Sequence, residues 1–125
     1  MHTPDSTIHS IEHLPFFSQV VHSKLMEARQ YLALLQTYTP QSLSTKRYRI
    51  QQIMDIHDEN NEFILRMQHN SRTWNQCALT HTQKENLSLF SKQLQQLETT
   101  IYHTLYLIEQ LENPKKAEEY TLKSC

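Results

Sequence analysis

The chain has 125 residues, a formal net charge of −1 with histidine neutral, and no glycine, where average usage of about 7% would supply roughly nine. Glycine is the residue that takes φ > 0 without steric cost, so tight hairpins, phosphate-cradling loops, dinucleotide fingerprints and nucleophile elbows are all disfavoured. Acidic and basic residues are interspersed, and the compact basic group Lys46, Arg47 and Arg49 reads as a solvated face, not as a nucleic-acid or anionic-membrane footprint.

Four prolines punctuate the chain: Pro4, Pro15, Pro40 and Pro114. Thr3-Pro4, Thr39-Pro40 and Asn113-Pro114 each place a capping side chain before a proline suited to the first helical position. A short helix is expected over 4–13. The run Phe17, Val21, Leu25, Ala28, Leu32 and Leu35 then has helical period and predicts a long helix over 15–38. A second, over 40–69, carries Leu43, Ile50, Ile53, Ile64 and Met67 at heptad a and d positions, with Lys46, His57 and Asn60 interrupting the seam.

The stripe fades near His69 to Thr73, and Thr73, Thr80 and Thr82 compete as capping-box starts. The third stands nearest the cleanest repeat of the chain, Leu87, Phe90, Leu94, Leu97, Ile101, Thr104, Ile108 and Leu111, which predicts a helix over 83–112. A last short helix is expected over 114–123. The expected fold is all-α: one domain, 1–125, an antiparallel up-down-up bundle of three long helices with short N- and C-terminal helical segments. The connector 70–80 is expected to be the least protected internal segment, anchored by the Trp74 ring.

Eight histidines raise the question of metal. His9, Glu12 and His13 read H-x-x-E-H, which on a helix sets two imidazoles on one face, but no third ligand is evident. Two Glu-x-x-His motifs, as a di-metal carboxylate bundle requires, are absent. Cys77 and His81 are the nearest approach to a nucleophile–base pair, without a loop suited to an oxyanion site. His57 and Asn60 fit either a buried polar pair that fixes register or senses pH, or a helix whose 3.6-residue period drifts against the heptad and turns His57 outward while Ile56 and Phe63 turn in. Drift is the favoured reading. Cysteine usage suits a reducing compartment, and no signal peptide or membrane span is expected.

Apolar residues also cluster away from the seam, at Tyr31–Leu35 and at Ile101, Tyr102 and 105–108, which places two patches at the same end of an up-down-up bundle. Tyr31, Leu34, Tyr38, Tyr102, Tyr106 and Leu107 are the candidate partner-binding residues. Tyrosine gives large contact area at small entropy cost, and Tyr102 and Tyr106 stand one turn apart on the b and f side. Refolding of 114–124 over the patch, bringing Tyr120 and Leu122, is the competing explanation.

In size, helicity and the helix-terminating Asn113-Pro114 followed by a tail, the chain resembles small helical accessory proteins of bacterial secretion systems, such as flagellar export chaperones of the FliT type and inhibitors that regulate secreted effectors. The resemblance implies stoichiometric binding of a partner protein, with no catalysis and no cofactor. The expected function is a non-enzymatic protein–protein interaction module that inhibits or chaperones its partner, or forms a homodimer, in the cytoplasm, with export by a specialised machine compatible. A metal-binding or Cys/His enzyme bundle and a self-assembling structural bundle are the alternatives. Nucleic acid, membrane, small-molecule substrate and metal are not expected.

Overall fold

The computed structural model describes residues 9–113. Among them, the long elements are three helices: α1 (Leu14–Leu35), α2 (Leu43–Asn75) and α3 (His81–Glu112). Short 3-10 turns at Ile11–His13 and Pro40–Ser42 lead into α1 and α2. The expected helix over 114–123 lies outside the described residues, as does the first half, 4–8, of the one expected over 4–13; of its second half, His9 and Ser10 are not helical. Its helical part is the single turn at Ile11–His13, capped by Ser10.

None of the described residues has positive φ, so helices must end without the left-handed residue that commonly closes them. They close by tightening. Thr37 and Tyr38 donate to the carbonyls of Leu34 and Leu35, both at 3.0 Å, and Gln76 and Cys77 donate to Thr73 and Trp74 at 3.1 and 3.0 Å. These i→i−3 bonds occupy carbonyls that a helix end otherwise leaves open. At the start of α2, the Thr39 amide donates to Ser42 Oγ at 3.1 Å.

The core falls into two clusters. The larger joins Leu14, Val21, Leu25 and Ala28 of α1 to Phe63, Ile64, Met67 and Trp74 of α2 and to Leu87, Phe90, Leu94, Leu97 and Ile101 of α3. The smaller joins Leu35 to Ile50 and Ile53 and to Ile108 and Leu111. From the large cluster to the small one, residue numbers rise in α1, fall in α2 and rise in α3. Every expected seam position of α3, Thr104 included, is buried. On α1, Phe17 and Leu32 of the expected stripe are half-buried, and the other four are buried or, for Leu35, fully enclosed.

α2 departs from expectation in two ways. It continues to Asn75 instead of ending at His69, because Asn70, Ser71 and Trp74 are buried against the rest of the molecule. The polar stretch that looked like a connector is therefore a packed last turn, and the link to α3 is confined to 76–80. His57 and Asn60 are both buried, so drift does not carry His57 to water. Phe63 does turn inward, while Ile56 is half-buried. Finally, the cap of α3 is Thr80, not Thr82: Thr80 Oγ1 accepts from the Gln83 amide at 3.1 Å, and Gln83 Oε1 accepts from the Thr80 amide at 3.0 Å. Both residues satisfy otherwise orphaned donors, and the helix starts two residues sooner than the apolar repeat suggests.

Candidate functional site

The six candidate residues do not share one face. Tyr31 stands edge-on to the His57 ring, 6.2 Å between centroids at 77°, with the Arg49 guanidinium 5.8 Å from its own ring centre. It fills the cleft between α1 and α2. Burial first, then the Glu27 carboxylate, push the Tyr31 hydroxyl pKa up, and Arg49 pulls it down. Tyr31, Tyr38 and Leu107 pack half-buried against the small core cluster, and Leu34 is also half-buried.

Tyr102 and Tyr106 are different, at 66% and 54% exposed. They occupy the outer side of α3, one turn apart. Glu98, one turn before Tyr102, accepts from Gln68 Nε2 at 3.1 Å, so this side of α3 adjoins α2. Leu107 follows Tyr106 directly and points about 100° away around the helix, to the other flank of the seam. The structure thus brings Tyr31, Tyr38 and Leu107 together around the small cluster and leaves Tyr102 and Tyr106 as a separate, solvated pair. Among the described residues, the exposed large apolar side chains outside the set are Phe16, Met26, Tyr48, Leu65 and Leu89. Leu65 could have been noticed in the sequence, since it stands off the seam that holds Ile64 and Met67.

One feature of the interior escaped the sequence reading, and a second was the less favoured of its two alternatives for His57 and Asn60. First, the His9 backbone is held at both polar groups by α2: its amide donates to Asn70 Oδ1 at 2.8 Å, and its carbonyl accepts from Trp74 Nε1 at 2.7 Å. Asn70 Nδ2 in turn donates to the Arg66 carbonyl at 2.9 Å. The His9 ring lies 4.8 Å from Phe17, and Phe17, Trp74 and Phe90 continue the aromatic contact into the core. This strap closes the large-cluster end, and only a long-range pairing across the sequence could reveal it.

Second, a polar layer lies between the buried residues of the two clusters, which share the half-buried Leu105 at their edge. His57 and Thr104 are fully buried and Asn60 nearly so. Thr104 Oγ1 donates to the Thr100 carbonyl at 2.8 Å, and Asn60 Oδ1 accepts from Lys24 Nζ at 2.9 Å. Lys24 also stands 5.1 Å from the Phe63 ring centre. His57 has no such relief: among the described residues, neither Nδ1 nor Nε2 has a hydrogen-bond partner. A neutral imidazole still carries one N–H, and burying a donor unsatisfied costs about 1–3 kcal/mol. Burial pushes the His57 pKa below its ordinary 6.5, while the Glu27 and Asp58 carboxylates pull it up.

The alternative chemistries have little geometry behind them. Among the described residues, no group of three or more His, Cys, Asp or Glu side chains is placed to hold a metal ion. His9 and His13 meet edge-on with centroids 6.2 Å apart. The exposed Cys77 Sγ donates to the Thr73 carbonyl at 3.5 Å, and His81 Nε2 lies 3.0 Å from Glu85 Oε1 instead of being turned to the thiol. The α2–α3 groove beside Ser71, Arg72 and Glu98 encloses about 510 Å³ and is open to solvent. No helix among the described residues is long and apolar enough to cross a membrane. Comparison with known protein families, curated proteins and solved structures finds no match to this chain.

Proposed function

We propose that this chain is a non-enzymatic interaction module: an antiparallel three-helix bundle, acting in the cytoplasm, that binds a partner protein and regulates it by stoichiometric capture, as an inhibitor or chaperone does. The observation that supports this most is the pair Tyr102 and Tyr106, solvated on the helix whose own seam is filled by Leu94, Leu97, Ile101 and Ile108. Those tyrosines are not needed to complete the core, and aromatic anchors of this kind dominate protein interfaces. Tyr31, Leu34, Tyr38 and Leu107 support the bundle end behind that face instead of forming it.

The test compares three forms as bait in native lysate: wild type, Tyr102→Ser with Tyr106→Ser, and Tyr48→Ser, which alters another exposed tyrosine. A protein retained in stoichiometric amount by wild type and by Tyr48→Ser, and lost with the double variant at unchanged melting temperature, supports the reading. Equal retention by all three overturns the assignment to this face. Sedimentation across concentrations is the parallel measurement, and a dimer abolished by the double variant reassigns the face to self-association.

A further inference from the structure

The unsatisfied point of the interior is the level of His57, where both ring nitrogens are without partners among the described residues and the buried apolar residues break between Ala28, Phe63 and Ile101 on one side and Leu35, Ile53 and Ile108 on the other, with half-buried Leu105 packed against both. We propose that His57 is a proton-operated latch: protonation of its buried ring opens the small-cluster end of the bundle while the large-cluster end stays folded. The inference goes beyond the interaction reading and does not depend on Tyr102 or Tyr106.

Among the described residues, no acceptor is hydrogen-bonded to the His57 ring where it lies. From α1 the groups that face it are the Tyr31 ring and the Glu27 carboxylate, the latter exposed; from α2 itself, the neighbouring Asp58, also exposed. α3 supplies Thr104 at this level, whose hydroxyl donates to the Thr100 carbonyl and makes no hydrogen bond to the His57 ring, and its titratable residues His103 and Glu109 are exposed. Lys24 and Arg49 add positive charge close by, one bonded to Asn60 and one over Tyr31. To reach Glu27 or Asp58 the ring must leave its site, and Tyr31 must move with it.

The direction of opening follows from the two clusters. Among the described residues, those buried and apolar beyond His57 are Leu35, Ile50, Ile53, Ile108 and Leu111, whereas the other side is larger and held by the Trp74–His9 and Asn70–His9 bonds. Few buried apolar contacts mean a low free energy of local opening. Opening there would uncover Tyr31, Tyr38 and Ile53 as a second apolar surface.

The sign of the pH dependence is fixed. In the closed state the His57 pKa is lowered, while in the open state the ring titrates near 6.5. The open state therefore binds more protons, and the stability of the closed state, full above about pH 6.5, is lost as pH falls toward the closed-state pKa. One such proton allows the opening constant to rise by up to about thirtyfold between pH 7.5 and 5.0.

Hydrogen exchange of the full chain at those two pH values, corrected for intrinsic rates, tests this. We expect residues 31–57 and 104–112 to lose protection at least fivefold at pH 5.0, with 63–74 and 87–101 unchanged, and the loss to vanish in His57→Leu. A change under twofold in wild type, an equal loss in both clusters, or the same pH response in His57→Leu overturns the latch. If His57→Leu does not fold, the imidazole titration of His57 in wild type, followed by NMR, decides: a pKa of 6.5 or above refutes the proposal, and a lower one together with the localised exchange upholds it.

Discussion

At one end of the bundle Trp74, Phe90 and Leu97 are sealed into a cluster drawn from all three helices, and the chain before α1 is strapped across it by bonds to Asn70 and Trp74. At the other end five buried aliphatic residues serve the same three helices, bounded by half-buried tyrosines and by the unpartnered His57. The helices are continuous through both ends, so backbone hydrogen bonding does not distinguish them. Side-chain burial does. Stability in a long bundle can thus be concentrated in one half, leaving the other near the threshold of local opening.

The largest effect is expected from Trp74→Ala, which empties a fully buried site and releases the His9 carbonyl. A loss of about 3–5 kcal/mol in urea denaturation is expected, with exchange protection at Ile11–His13 lost as well. Unchanged protection there would mean that the strap does not depend on Trp74. Next, Leu97→Ala and Ile108→Ala remove comparable aliphatic volume from the two clusters. Leu97→Ala should cost about 2–5 kcal/mol globally, whereas Ile108→Ala should act chiefly on local exchange of 104–112 and less on the global midpoint. Equal global losses would show a single cooperative core and dissolve the distinction between the ends.

A smaller change is expected from Thr80→Ala, which removes the acceptor for the Gln83 amide at the strapped end. About 1 kcal/mol should be lost, read as a lower melting temperature, while Thr82→Ala should be nearly silent. The smallest effect belongs to Tyr102→Ser with Tyr106→Ser. Away from packed or bonded features, surface changes stay within about 0.5 kcal/mol each, so the melting temperature should hold within about 4 °C. Unfolding of this variant would make the exposed pair part of the core.

The α3 repeat was fully legible in the sequence because a heptad pattern and a helix period state the same thing, that one stripe is buried, and no long-range information is needed to read it. The absence of glycine was equally direct, and it reappears as the ends of α1 and α2 closed by i→i−3 bonds, with no left-handed residue among those described. The bundle end at which Tyr31, Tyr38 and Leu107 meet was also legible, since chain direction alternates from helix to helix.

Tertiary structure alone decided which polar residues are inside. Asn70 and Ser71 look like loop residues by type, and His57 and Asn60 look like interruptions of a stripe; local pattern cannot place them, because a polar group is buried or exposed according to partners that are distant in sequence. Asn70 is buried because His9 and Arg66 supply its hydrogen bonds, and Asn60 because Lys24 reaches it across from α1. His57 is buried without that compensation, enclosed by the packing of three helices around it. The same holds for the candidate site: the sequence supplied the six residues, and the packing of α1 and α3 against α2 determined that Tyr31, Tyr38 and Leu107 lie half-buried on the small cluster while Tyr102 and Tyr106 are exposed.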